Sequence, residues 1–132
     1  MSDIATIVDT HLAGYCEPDP ATRAELIATA WAETASMIDP PFDGTGRAGI
    51  AAMTDVLLTH YAGHTFRRTT SIDTHHNFGR YDWSLVAADG SVAVAGTDFV
   101  EVDDAGQLVR IVGFFGGLAG AGSSASPSAL PL

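Results

Sequence analysis

The sequence predicts an α+β domain in which three helices pack on one face of a curved, mostly antiparallel sheet. Apolar residues recur at helical spacing through roughly the first half of the chain, and from Thr65 the period changes to two. Two turn signals, Asp89-Gly90 and Asp104-Ala105-Gly106, then divide the remainder into long strands joined as a meander. Helices that precede such a meander need a sheet face to cover. The 132 residues suffice for one hydrophobic core and one pocket, not for an interdomain cleft.

Ile4, Ile7, Val8, Leu12 and Tyr15 form one stripe behind a cap at Ser2, a first helix ending near Gly14. Asp19-Pro20 pairs an N-cap with a proline at the first helical position, and Leu26, Ile27, Ala30 and Trp31 give the second helix its buried face. Ala35-Ser36-Met37-Ile38 reads as a short strand stopped by Asp39-Pro40-Pro41, because proline has no amide to give to a ladder. Gly44-Thr45-Gly46 is a loop, after which Ile50, Met53, Leu57 and Tyr61 mark a third helix. Strands follow around Tyr81 to Val86, over Val92 to Val102 and over Leu108 to Phe115. The domain is expected to span residues 1–116. Residues 117–132, mostly Gly, Ala, Ser and Pro, hold too few large apolar groups to offset their ordering entropy and are expected to form a flexible tail.

The 16 acidic and 6 basic side chains give a net charge of -10, which repels phosphate backbones and anionic lipid heads, so neither nucleic acid nor a membrane is an expected partner. Arg67 and Arg68, the adjacent bases, point to opposite faces of a strand and form no patch. Cys16 is alone, which excludes an intrachain disulfide and suits a reducing compartment. The N-terminus lacks the basic start and apolar run of a secretion signal, and no stretch is long enough to span a bilayer; a cytoplasmic location is expected.

Asp98 is the first candidate for chemistry. On an alternating strand it shares a face with Val92, Val94, Gly96, Val100 and Val102. Burial among valines raises a carboxyl pKa unless a donor or cation compensates, which is how such a group becomes a proton carrier near neutral pH. A buried Asp bonded to a neighbouring amide fits the same pattern. Asp39, before Pro40 at a strand end, fits a turn residue as well as a functional acid, and Tyr15 fits plain core as well as a site residue.

Several strings, in order, resemble the nuclear transport factor 2-like superfamily, and most closely its SnoaL-like polyketide cyclase branch. They are Ile38-Asp39-Pro40 with Gly46-Arg47, His75-His76-Asn77 with Arg80 and Trp83, Gly96-Thr97-Asp98-Phe99, and Gly113-Phe114-Phe115-Gly116. Together they cover nearly the whole chain apart from the tail. The resemblance implies a cystatin-like cone and places the acid/base of SnoaL-like cyclases at Asp98. The superfamily hosts cyclases, isomerases, dehydratases, epoxide hydrolases and non-enzymatic binders, so the fold alone does not fix the activity. Tyr15, Asp39 and Asp98 also resemble the tyrosine, base and oxyanion-stabilising acid of ketosteroid isomerase, which shares this fold. That resemblance implies that Asp39 moves a proton beside a carbonyl while protonated Asp98 and Tyr15 donate to the developing oxyanion. The tyrosine that supports the oxyanion hole there maps to Thr54 here, a departure.

Arg80-Tyr81-Asp82 is similar to the Arg-x-Asp of limonene epoxide hydrolase, but Val112-Gly113 stands where that enzyme has a further Asp, and Tyr81, Trp83 and Leu85 claim the apolar face. Epoxide hydrolysis therefore ranks last. His75 and His76 are strand neighbours facing opposite ways, and His60 and His64 straddle a helix end; neither pair has zinc-ligand spacing, and no metal is expected. One of His75 and His76 is expected to face the interior, with His75 as a partner for substrate. No phosphate loop, nucleotide fingerprint or nucleophile elbow occurs, so no cofactor is expected.

Trp31, Trp83, Phe114 and Phe115 are the expected aromatic wall. The expected function is a cofactor-independent acid-base enzyme, of isomerase or cyclase type, acting on a small, largely apolar carbonyl compound. The alternative is a non-catalytic binding or assembly protein whose cone holds a ligand or is filled by its own side chains. Convergence of Asp39 and Asp98 on an open cavity favours the enzyme. Large apolar residues on both sides of the last strand, Ile111 and Phe115 against Val112 and Phe114, with Phe99 opposite the Asp98 face, leave an exposed patch and predict a homodimer.

Overall fold

The computed structural model describes residues 3–39 and 42–116, so that Ser2 and the expected tail over 117–132 lie outside the described residues. Helix α1 (Ile4–Cys16) is capped by Asp3, whose carboxylate accepts from the Thr6 amide at 2.7 Å. Asp3 takes the role expected of Ser2 because it stands three residues before an orphan amide and carries the charge that the helix start favours. Helix α2 (Pro20–Ala30) is entered as expected: Asp19 accepts from both the amide and the hydroxyl of Thr22, with Pro20 in the first turn.

Trp31 does not extend α2; it begins strand β1 (Trp31–Asp39). Side chains from elsewhere satisfy the last α2 carbonyls and fix this corner. Arg47 donates to the carbonyls of Trp31 (2.9 Å) and Ala28 (3.2 Å), and Gln107 to those of Ala28 (3.0 Å) and Thr29 (3.2 Å). The loop expected at Gly44 is instead strand β2 (Phe42–Thr45), antiparallel to β1. The bare Gly44 lets β2 come close to helix α3 (Gly46–His60): a Cβ there would meet the Met53 sulfur and lie 3.2 Å from the Gly49 carbonyl oxygen.

Strands β3 (Thr65–Arg68), β4 (Asp73–His75), β5 (Phe78–Val86), β6 (Val92–Val102) and β7 (Leu108–Phe115) complete a seven-stranded sheet of order β2-β1-β7-β6-β5-β3, with β4 also on β5. Among the described residues every pairing is antiparallel except that of β1 with β7. Gly90 and Gly106, with φ of 88° and 82°, take the left-handed positions of the two turns read from the sequence. Along β6, Gly96, Asp98, Val100 and Val102 are buried while Ala95 and Phe99 turn outward. Val92 departs from the expected face, because the register shifts between Leu85 and Val86 opposite it, and it is exposed.

The core lies between the helices and the inner sheet face. Ile7, Val8, Leu12, Ile27, Ile50 and Leu57 pack against Met37, Leu85, Val100, Leu108 and Ile111, each such side chain contributing about 1.5–3 kcal/mol on burial. Arg80 and Asp82 point outward, Arg80 onto Asp73 at 2.9 Å and Asp82 accepting from Thr97 at 2.7 Å. Among the described residues no helix is long and apolar enough to cross a membrane.

Candidate functional site

One row of residues crosses the sheet at a single level. Ile38 of β1 is opposite Val112 of β7, Gly113 of β7 is opposite Asp98 of β6, and Asp98 is opposite Tyr81 of β5. Asp39, one residue beyond Ile38, therefore stands level with Gly113 and faces Asp98 across it. A Cβ on Gly113 would lie 2.5 Å from Asp39 Oδ1 and 3.0 Å from Asp98 Oδ1. The two carboxyls thus meet over the space that this glycine leaves bare. Asp98 is 3% exposed and Asp39 8%.

Asp98 is held from β5, where Tyr81 Oη donates to Oδ2 at 2.7 Å and Trp83 Nε1 to Oδ1 at 3.0 Å. Burial raises its pKa to about 6, with both hydrogen bonds pulling it down. Asp39 lacks such support. Its Oδ1 has no hydrogen-bond partner among the described residues, and burial, reinforced by the charge of Asp98, pushes its pKa up to about 8.

Tyr15 of α1 is buried near both acids, and their charges, after desolvation, hold its phenol well above the usual range, so it stays neutral. Its hydroxyl donates to the Met37 sulfur at 2.6 Å, two residues before Asp39, not to a carboxylate. Thr54 is fully buried and donates to the Ile50 carbonyl at 2.9 Å. The phenol that supports Asp98 comes from β5, not from α3.

The expected aromatic wall divides. Trp83 and Phe115 meet edge to face at 5.6 Å beside Asp98. Trp31 is buried elsewhere, with its indole N–H donating to His11 Nδ1 at 3.2 Å. Phe114 does not line the interior: as the strand neighbour of Phe115 it points the other way, 53% exposed and 5.9 Å from Phe99. Neither His75 nor His76 faces the interior either. All of β4 is an exposed edge segment; the two rings approach each other, Nδ1 to Nδ1 at 3.1 Å, and His75 also lies against the exposed Phe78, ring centroids 5.9 Å apart. Among the described residues no group of three or more His, Cys, Asp or Glu could hold a metal ion.

Two residues of this interior escaped the sequence reading. Tyr81 was placed on the apolar face, but its role as a donor appears only when the register sets it opposite Asp98. His11 lies on the α1 stripe between Ile7 and Tyr15, and that spacing is the signal. Burial lowers its pKa to about 3 and keeps it neutral, while its Nε2 has no partner among the described residues.

Among solved structures, a proposed isomerase of the SnoaL-like family from Agrobacterium tumefaciens superposes with a TM-score of 0.81 at 37% identity, covering 89% of this chain and 100% of that one. The chain belongs to the SnoaL-like family. The SnoaL-like architecture extends to more distant proteins that share the fold alone. One is a nuclear transport factor 2-like protein from Exiguobacterium sp. 255-15 (TM-score 0.67, 14% identity, 83% of this chain and 98% of that one). Another is a proposed polyketide cyclase from Sinorhizobium meliloti (TM-score 0.65, 14% identity, 82% and 93%). No family model and no curated protein matches the sequence. In this SnoaL-like chain the two buried carboxyls sit on β1 and β6, strands tied through β7, which fixes their placement relative to one another.

Proposed function

We propose that this SnoaL-like protein is a cofactor-independent acid-base enzyme, of isomerase or cyclase type, that moves a proton on a small, largely apolar carbonyl compound. The observation that carries the reading is the meeting of two buried carboxyls over Gly113 in unlike surroundings, one with two donors and one with an oxygen that has none among the described residues. Carboxyls so placed differ in protonation at the same pH, which supplies an acid and a base from one residue type. Tyr15 is a neutral phenol in the same interior, suited to hydrogen-bond a developing enolate oxygen. Trp83, buried and bonded to Asp98, and the half-buried Phe115 packed on it make the surroundings of the acids apolar. The similarity to a proposed isomerase and a proposed cyclase supports the class without choosing between them. The reading includes a homodimer formed through the outer sheet face.

A second reading, a binding protein without turnover, draws on the other end of the cone. Trp31, Ile50 and Thr54 are fully buried, and the gaps between them and His11, Tyr15 and Ile27 are too narrow to admit a water molecule. That end is filled by the protein's own side chains.

Deuterium exchange beside the carbonyl separates the two readings, because both isomerisation and aldol cyclisation begin with loss of that proton. Incubated in heavy water with a panel of steroidal and polyketide-like ketones, the protein is expected to accelerate exchange of at least one. Asp98→Asn and Asp39→Asn should each slow it by about 100-fold or more. Saturable ketone binding without exchange, or undiminished exchange in both variants, would overturn the enzymatic reading.

A further inference from the structure

Only one of the two acids that meet over Gly113 is provided with donors. Tyr81 stands directly opposite Asp98, and Trp83 reaches it because Gly96, its own cross-strand partner, is bare. A Cβ at Gly96 would lie 2.7 Å from the indole Cζ2 and 3.0 Å from Cε2. Each oxygen of Asp98 thus receives one hydrogen bond, an arrangement that favours the carboxylate over the acid. The indole N–H is obligatory in this respect, since it can donate and never accept. Asp39 is the reverse case. It is buried beside another carboxyl with Oδ1 unpartnered among the described residues, and ionised it would be an uncompensated buried charge. No Lys or Arg is among the groups acting on either acid. The titratable groups that face the pair are Tyr15 from α1 and Tyr81 from β5, both neutral phenols.

We propose that the pair carries a single proton that resides on Asp39, and that Tyr81 and Trp83 are positioning residues that hold Asp98 as the carboxylate. This rests on the acid-base reading of the site and inverts the roles that the resemblance to ketosteroid isomerase implies. Asp98 takes a proton from the carbon beside the substrate carbonyl, and the C–H electron pair becomes the enol double bond. The carbonyl π pair moves to oxygen, which receives the Asp39 proton. Delivery of a proton from Asp98 to another carbon, and return of the enol proton to Asp39, restores both groups. Between about 6 and about 8, the pKa values of Asp98 and Asp39, the pair holds one proton, which suits a cycle that needs both forms.

The test is carbon-13 NMR of aspartate carboxyls titrated from about pH 4 to about pH 9, with each signal assigned by its loss in Asp39→Asn or Asp98→Asn. The lower of the two raised titrations is expected to belong to Asp98. Tyr81→Phe and Trp83→Phe should each move it up by about one unit, with far-ultraviolet circular dichroism unchanged. Trp83→Phe also removes packing, so Tyr81→Phe, which loses a single oxygen, decides if the former unfolds. Loss of the lower titration in Asp39→Asn, or an unmoved Asp98 titration in folded Tyr81→Phe, would overturn the proposal. Since no substrate is involved, failure of every ketone to exchange would leave this result standing on its own.

Discussion

A tyrosine hydroxyl can donate or accept, whereas an indole N–H only donates. An asparagine at position 98 can therefore turn its carbonyl toward Trp83 and its amide toward Tyr81, keeping both bonds that Asp98 makes. Asp98→Asn is expected to melt within about 3 °C of the parent while losing turnover, since no titrating carboxyl remains; parental exchange rates would remove Asp98 from the mechanism. Asp39 gives a prediction on stability. An unfolded chain releases this proton near the ordinary aspartate value of 3.8, but the native state keeps it to about 8. At Asp39 the native state therefore binds more protons in that window, and this contribution to stability falls as pH rises through it, then levels off. Asp98, raised to about 6, adds to the fall in the lower part, whereas His11, held neutral down to about 3 against an ordinary 6.5, offsets one proton of it below about 6.5 and leaves the Asp39 fall uncovered above that. Asp3, Asp19 and Asp89, whose own hydrogen bonds lower them below 3.8, act outside the window. Asp39→Asn should therefore raise the melting temperature more at about pH 8 than at about pH 5; equal shifts would show that Asp39 is not a buried acid. Asp98 was legible in the sequence because period two alone places it among buried neighbours. Its donors were not, because Tyr81 and Trp83 read as apolar until the register and the room over Gly96 decide which oxygen each reaches.

Signals that are local survive at the scale of elements. Asp19-Pro20 specifies the start of α2 without help from the rest of the chain, and the Asp19 carboxylate does bind the Thr22 amide at 2.9 Å. Asp19→Ala should cost about 1 kcal/mol in urea unfolding; an unchanged midpoint would mean that Pro20 alone fixes the helix start. Long-range signals fared differently. The boundary at Trp31 was missed because the α2 stripe runs on without a break, and only pairing with Leu108 across the chain makes the residue a strand start. Strand β2 was missed because Gly44 looks like a loop residue, whereas its bareness makes room for Met53. Gly113 follows the same logic on β7, where a bare position lets β1 and β6 bring their acids together. Gly113→Ala should therefore destabilise by about 1–3 kcal/mol through overpacking. Full stability in that variant would show that the carboxyls have slack to move apart.

For the whole molecule, the three helices cover one sheet face, and the other carries the exposed side chains Ile38, Phe78, Phe99 and Phe114. Ile38, Val112 and Phe99 lie in one cross-strand row, with Phe114 packed on Phe99, so these are a contiguous patch rather than scattered surface residues. A chain of net charge -10 repels its own copy in general. This face is an exception, because Arg67, Arg80 and Arg110, three of the 6 basic residues, stand on it with Asp73, Asp82 and Glu101. An apolar centre flanked by charges of both signs is self-complementary under a two-fold axis, which makes a second copy the partner that fits. The expected species at micromolar concentration is a homodimer. Phe99→Glu together with Phe114→Glu should convert it to a monomer of 13.7 kDa in sedimentation, with the interior acids and their titrations undisturbed, because both side chains point away from them. A parent that already sediments as a monomer would refute the dimer, and a double variant that stays dimeric would move the interface off this face.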